Sequence, residues 1–185
     1  SAPEEPPVNQ YIEALKDYKE FFYGGKYEGP LNEVLGKKLR AKKWTVATAE
    51  SCTGGNIAHQ ITLVPGASDY FIGSVIAYHN SIKEKVLGVP ASILERYGAV
   101  SEETVTFMAN GLKKIFLTHC VIVTSGIAGP SGGTPQKPVG TVWILAETPN
   151  ARLSHKFHFS GDREYVIEAS TNCALALLIY LIDNF

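Results

Sequence analysis

A chain of 185 residues with 45% hydrophobic content has apolar surface for one sizeable core but hardly for two, so one main domain is expected. The formal net charge is -1 at pH 7 and no long run carries one sign, which removes the electrostatic case for nucleic acid or an anionic membrane as partner. Three cysteines, Cys52, Cys120 and Cys173, without CxxC spacing suggest neither a disulfide framework nor a zinc knuckle; a reducing cytoplasm fits, with no metal and no cofactor expected.

Pro3, Pro6 and Pro7 precede a segment with Val8, Tyr11, Ile12, Leu15, Tyr18 and Phe22 at helical spacing, ended by Gly24 and Gly25. A linker follows over 23–30. The acidic, proline-rich start differs from a signal peptide, and the longest apolar run, 174–182, is short for a membrane span, so a soluble chain is expected. Leu31, Val34, Leu35 and Leu39 mark a second helix, whose basic flank of Lys37, Lys38, Arg40, Lys42 and Lys43 reads as a solvated face. Strands and helices then alternate: a strand over 44–49, a helix from about 54, a strand over 70–78, a short helix from Asn80, and a longer helix opened by Ser101 with Glu102 and Glu103 in its first turn. A strand at 119–125, two neighbouring strands at 140–148 and 152–160 joined by Pro149 and Asn150, and a closing helix over 162–183 complete the chain. The late pair reads as a hairpin, which makes the class α/β with a mixed sheet.

The chemistry starts at Ala49-Glu50-Ser51-Cys52-Thr53-Gly54-Gly55. A serine at a strand-to-helix turn exposes its oxygen near free helix-start amides, and Thr53, Gly54 and Gly55 are candidates for an oxyanion hole. Two roles stay open for Ser51 at this level, nucleophile and N-cap, and capping is the commoner one. Cys52, flanked by small residues, reads as a packing residue. The five histidines, His59, His79, His119, His155 and His158, match no triad signature. Lys83 is the candidate base: with Asn80 as cap it falls in the first helical turn, where the dipole disfavours an ammonium. Tyr78 is placed to orient that lysine or relay a proton. Ser125, Gly126, Ile127, Ala128 and Gly129 open a loop whose amides can bind an anion, although neither the P-loop pattern nor GxGxxG is present. Arg163 is a candidate for a phosphate or for a neighbouring carboxylate.

The ordered motifs AESCTGG, VPGAS, YHNSIK, GAVS, SGIAGP, GGT, KPVGTV and SGDR resemble those of the CinA C-terminal domain family, which includes nicotinamide mononucleotide deamidase. The resemblance covers about 31–185. It implies a three-layer α/β/α sandwich in 30–185, with 1–29 a helix and linker left from a preceding domain, so that the chain resembles the C-terminal part of a longer protein. It also implies a serine and a lysine as catalytic pair, which map onto Ser51 and Lys83, with a tyrosine mapping onto Tyr78. His79 departs from the pattern, since many relatives carry serine there. The implied reaction is metal-free hydrolysis of the carboxamide of nicotinamide mononucleotide to nicotinate mononucleotide and ammonia through an acyl-enzyme. The SGIAGP loop and Arg163 would bind the phosphate or ribose. Two other readings stand beside it: a catalytically silent domain that binds a pyridine nucleotide or a partner protein, and a serine amidase or peptidase for another substrate. A homo-oligomer is expected from the apolar face of Val8 to Phe22.

Overall fold

The computed structural model describes residues 29–185. The expected helix over 8–22, most of the linker and the association expected of that helix therefore lie outside the described residues. Five strands form one sheet: β1 (Val46–Glu50), β2 (Phe71–Ile76), β3 (Cys120–Gly126), β4 (Thr141–Glu147) and β5 (Arg152–His158). Their order is β2-β1-β3-β4-β5. β1 runs parallel to β2 and β3, while β3–β4 and β4–β5 are antiparallel. The sheet is mixed because the last two connections are loops that reverse the chain, without a crossover helix.

Helices cover both faces. One layer holds α1 (Leu31–Lys42), α2 (Asn56–Thr62) and α6 (Arg163–Asn184), which bury Leu35, Ile57 and Leu177 against Val46, Ile122 and Ile144 of the sheet. The other holds α3 (Asn80–Lys85), α4 (Ala91–Tyr97) and α5 (Glu102–Phe116), with Leu94, Val105 and Met108 against Ala47, Val121 and Val123. Burial on both faces is why β1 is buried at every position and β3 at every position but its last, with no period-two alternation of burial. Helix α6 has 22 residues and a mean hydropathy of 1.6 in its most apolar window, long and apolar enough to cross a membrane by those criteria alone. Here it is a central core helix, and its apolar residues all round match packing on several sides at once.

The short α4 was not expected from the sequence. Pro90 fixes its entry and Gly98 its exit, but seven residues with Leu94 as the one buried apolar position give no periodic signal. Ser101 caps α5 as expected, its hydroxyl accepting from the Thr104 amide at 3.1 Å. Gly111 allows the α3–α4 connection to lie directly on α5, since a Cβ there would meet the Leu87 carbonyl at 1.8 Å.

The β1–β2 connection carries α2 on one face, and the β2–β3 connection carries α5 on the other. Right-handed crossovers travelling in opposite directions along a sheet require this arrangement. The chain therefore diverges at the carboxyl ends of β1 and β3, where open α/β sheets form a crevice.

Candidate active site

That crevice holds a cavity of about 330 Å³. The residues following β1 give it Ser51 and Cys52, those following β2 give Tyr78, Asn80 and Lys83, the α4–α5 turn gives Ala99 and Val100, and the β3–β4 segment and α6 give Ser125 to Gly129 and Arg163. Segments far apart in sequence meet because three parallel strands end side by side.

Ser51 is buried, and its amide donates to the Thr124 carbonyl at 3.1 Å, tying the turn to β3. Its Oγ lies 3.1 Å from Nζ of Lys83, which is only 1% exposed. The same Nζ donates to the carbonyls of Ala77 at 2.7 Å and Tyr78 at 3.3 Å. As an ammonium Nζ donates its third N–H to Ser51 Oγ; once neutral, with the two carbonyls holding its two N–H groups, its lone pair is left for the serine hydroxyl. Burial pulls the Lys83 ammonium from 10.5 down to about 8, with the neighbouring Cys52 acting the other way. At pH 7 that leaves roughly a tenth of the amine neutral, against roughly one part in three thousand for an ordinary lysine.

The cause differs from the one expected. Lys83 belongs to the last turn of the six-residue α3, so burial, not the dipole at the helix start, lowers it. The cap is also His79 in place of Asn80: its Nδ1 accepts from the Ser81 amide at 3.1 Å. Histidine thus does the capping that a serine would do at this position.

Folding must leave Lys83 as an amine that resists protonation, which sets a pH dependence of stability. Between about 8 and 10.5 the unfolded lysine holds its proton while the folded one has released it, so stability rises with pH through this window and is flat below it. Urea unfolding across this range is expected to show wild type gaining stability relative to Lys83→Met by about 1 kcal/mol per pH unit.

Of the three residues expected to form an oxyanion hole, Gly54 has its amide occupied, and the amides further along the helix start are taken as well. Glu50, fully buried, accepts from Ile57 N at 2.9 Å and Ala58 N at 3.0 Å, while the Asn56 amide donates to the Thr53 carbonyl and that of Gly54 to the Ser51 carbonyl. Thr53 turns its hydroxyl to Glu50 Oε1 at 2.7 Å and lies 2.9 Å from Thr124 Oγ1. Thr53, Gly54 and Gly55 stand outside the cavity lining. The two glycines are needed for the turn itself, with φ of 58° and 97° in succession. Glu50 carries no signal in the sequence because an acid six residues before the first residue of a helix fits no capping pattern.

Tyr78 and Arg163 do meet. The Tyr78 hydroxyl accepts from Arg163 Nη2 at 2.8 Å, and Nη1 donates to the Gly129 carbonyl at 2.7 Å. Tyr78 therefore contacts Lys83 through its carbonyl, while its 57% exposed side chain lies with Arg163. In the loop, Ser125 Oγ donates to the Ala99 carbonyl at 2.8 Å, and the Ile127 amide donates to Thr141. Burial pushes the Cys52 thiol up to about 12, so it is no thiolate at neutral pH. No cluster able to hold a metal ion occurs among the described residues.

A family profile described as CinA C-terminal domain matches residues 28–182. A CinA-like protein of Thermotoga neapolitana is 48% identical over 162 residues, covering 87% of this chain and 39% of that protein. One from Cytophaga hutchinsonii is 44% identical over 171 residues, covering 92% and 40%. The chain thus spans about two fifths of the length of these relatives. Among solved structures, the competence damage-inducible protein A of Klebsiella pneumoniae superposes with a TM-score of 0.81 at 32% identity, covering 84% of this chain and 96% of that one. The competence/damage-inducible protein of Agrobacterium tumefaciens does so at 0.77 and 33%, covering 84% and 98%.

Proposed function

The chain belongs to the CinA C-terminal domain family, and from that premise and the geometry of the cavity we propose that it is an amidohydrolase converting nicotinamide mononucleotide to nicotinate mononucleotide and ammonia, in salvage of pyridine nucleotides. The observation that carries the reading is Nζ of a buried, largely desolvated Lys83 at 3.1 Å from Ser51 Oγ on the wall of a cavity sized for a small molecule.

In the first half-reaction neutral Lys83 takes the Ser51 proton and Oγ attacks the carboxamide carbon. Ammonia leaves with a proton returned by the lysine. Water then cleaves the ester, with Lys83 again as base, and the acid product departs. The oxyanion falls to the amide of Cys52, which follows the nucleophile, lines the cavity and donates to no backbone carbonyl among the described residues. The quaternary ring nitrogen of the ribotide withdraws electrons from the carboxamide, which favours it over free nicotinamide.

Arg163 supplies the phosphate contact. Two of its five N–H donors are held by Gly129 and Tyr78, and among the described residues three remain for an anion. Arg163→Ala is expected to raise KM for the ribotide by about tenfold to a hundredfold, from the loss of charge-assisted hydrogen bonds. It should leave KM for the dephosphorylated riboside unchanged; an equal change for both substrates would remove the phosphate assignment.

The reading is tested by incubating the purified chain with nicotinamide mononucleotide and following ammonia and nicotinate mononucleotide together. Equal amounts of both products support it. Binding of the ribotide by calorimetry without product would mark the domain as a silent nucleotide binder, and acylation by unrelated esters or amides in its place would mark a different serine amidase.

A further inference from the structure

The Ser51 turn and the Lys83 amine are carried by different segments, and one residue touches the support of both. Glu50 is fully buried at the end of β1. Its carboxylate accepts four hydrogen bonds: Oε1 from Thr53 Oγ1 at 2.7 Å and Ile57 N at 2.9 Å, Oε2 from Ala58 N at 3.0 Å and Thr48 Oγ1 at 3.1 Å. These donors lie before, within and after the turn that presents Ser51. Its carbonyl accepts the Ala77 amide at 2.8 Å, and the Ala77 carbonyl in turn takes Lys83 Nζ at 2.7 Å. The lysine is therefore aimed from a backbone position that Glu50 fixes.

We propose that Glu50 is the positioning residue of the site, holding the Ser51 turn through its carboxylate and the Lys83 support through its carbonyl; the role rests on Ser51 and Lys83 being the reactive pair. A buried carboxylate satisfied by four donors is a rigid clamp, because each donor left unmatched costs a desolvation penalty that a displaced turn would incur. Glutamine at this position keeps the size but sets an NH₂ group against backbone N–H donors, so one end of the clamp opens. A nucleophile displaced by about 1 Å can lose a hundredfold in rate without any loss of the residue that reacts.

The test is the rate constant and the stoichiometry with which a fluorophosphonate labels Ser51, measured beside ammonia release for wild type, Glu50→Gln and Thr53→Val. Thr53→Val removes one donor to the carboxylate in a nearly isosteric side chain and decides the question if Glu50→Gln does not fold. The expected result is full stoichiometry with a rate constant lowered about tenfold to a hundredfold in Glu50→Gln, and a smaller loss in the same direction in Thr53→Val. In turnover, kcat falls while KM stays. Wild-type rate constants in both variants would overturn the proposal, as would a loss confined to the labelled fraction, the mark of a purely structural role. If the wild-type chain is labelled yet releases no ammonia from nicotinamide mononucleotide, the substrate reading falls and the labelling rates still decide the role of Glu50. If the wild-type chain is not labelled, the reactive pair falls and Glu50 with it.

Discussion

Ser51→Ala is expected to end ammonia release from nicotinamide mononucleotide, lowering kcat by roughly a thousandfold or more. The reason is that no neighbouring group can replace it. Cys52 lines the same cavity, but burial holds its thiol near about 12, leaving almost no thiolate at neutral pH. Thr53 is turned to Glu50 and Thr124 and lies outside the cavity lining. Among the described residues the hydroxyl of Ser51 is bound by the Lys83 side chain alone, so its removal leaves the turn anchored through the Ser51 amide on Thr124. Ribotide binding measured by calorimetry should persist at near wild-type affinity. A variant that keeps more than about a tenth of the wild-type rate removes Ser51 from the mechanism.

The second large effect belongs to Lys83→Met, which keeps the stem of the side chain and removes the amine. Its kcat is expected to fall at least about a hundredfold at pH 8, the usual scale for losing a general base, and further where the base also returns the proton to ammonia. The pH profile carries the sharper information. In the wild-type chain the rate should rise with pH and level off above about 8, because the reactive form is the neutral amine. The residual rate of Lys83→Met should show no such rise. A wild-type profile that instead rises toward 10.5, or a variant that keeps the limb near 8, would mean that another group is titrating. Lys83→Arg should not restore activity, since a guanidinium cannot release its proton in this range.

Much of the site was legible as a set of blocks. The strand-to-turn serine, the lysine after a strand end, the small-residue loop after an apolar strand and Arg163 all line one cavity. Each block has a local cause that can be read along the chain: a run of buried apolar residues ends, and small or polar residues begin. The roles inside the blocks were less legible. Gly54 and Gly55 looked like an opening for an oxyanion but serve a left-handed turn. The amides ahead of them looked free but are taken by Glu50, a residue whose carboxylate reaches forward by seven and eight positions to Ile57 and Ala58. Tyr78 looked like a partner for the lysine through its hydroxyl, and it is one through its carbonyl. A sequence lists side chains, whereas two of the three hydrogen bonds of Lys83 go to main-chain oxygens that every residue possesses.

What the sequence determined by itself is the α/β class, the mixed sheet, the alternation of elements and the candidate pair, because apolar period, caps and turn residues are local quantities. Only the tertiary structure decided that Ser51 and Lys83, 32 positions apart, meet at 3.1 Å, and that the lysine is buried deeply enough to bring its pKa down to about 8. Strand order brings the ends of β1, β2 and β3 together and the layers above and below exclude water from Nζ. Both are properties of packing between distant segments, and desolvation, which sets the chemistry of the amine, has no counterpart in the order of the residues.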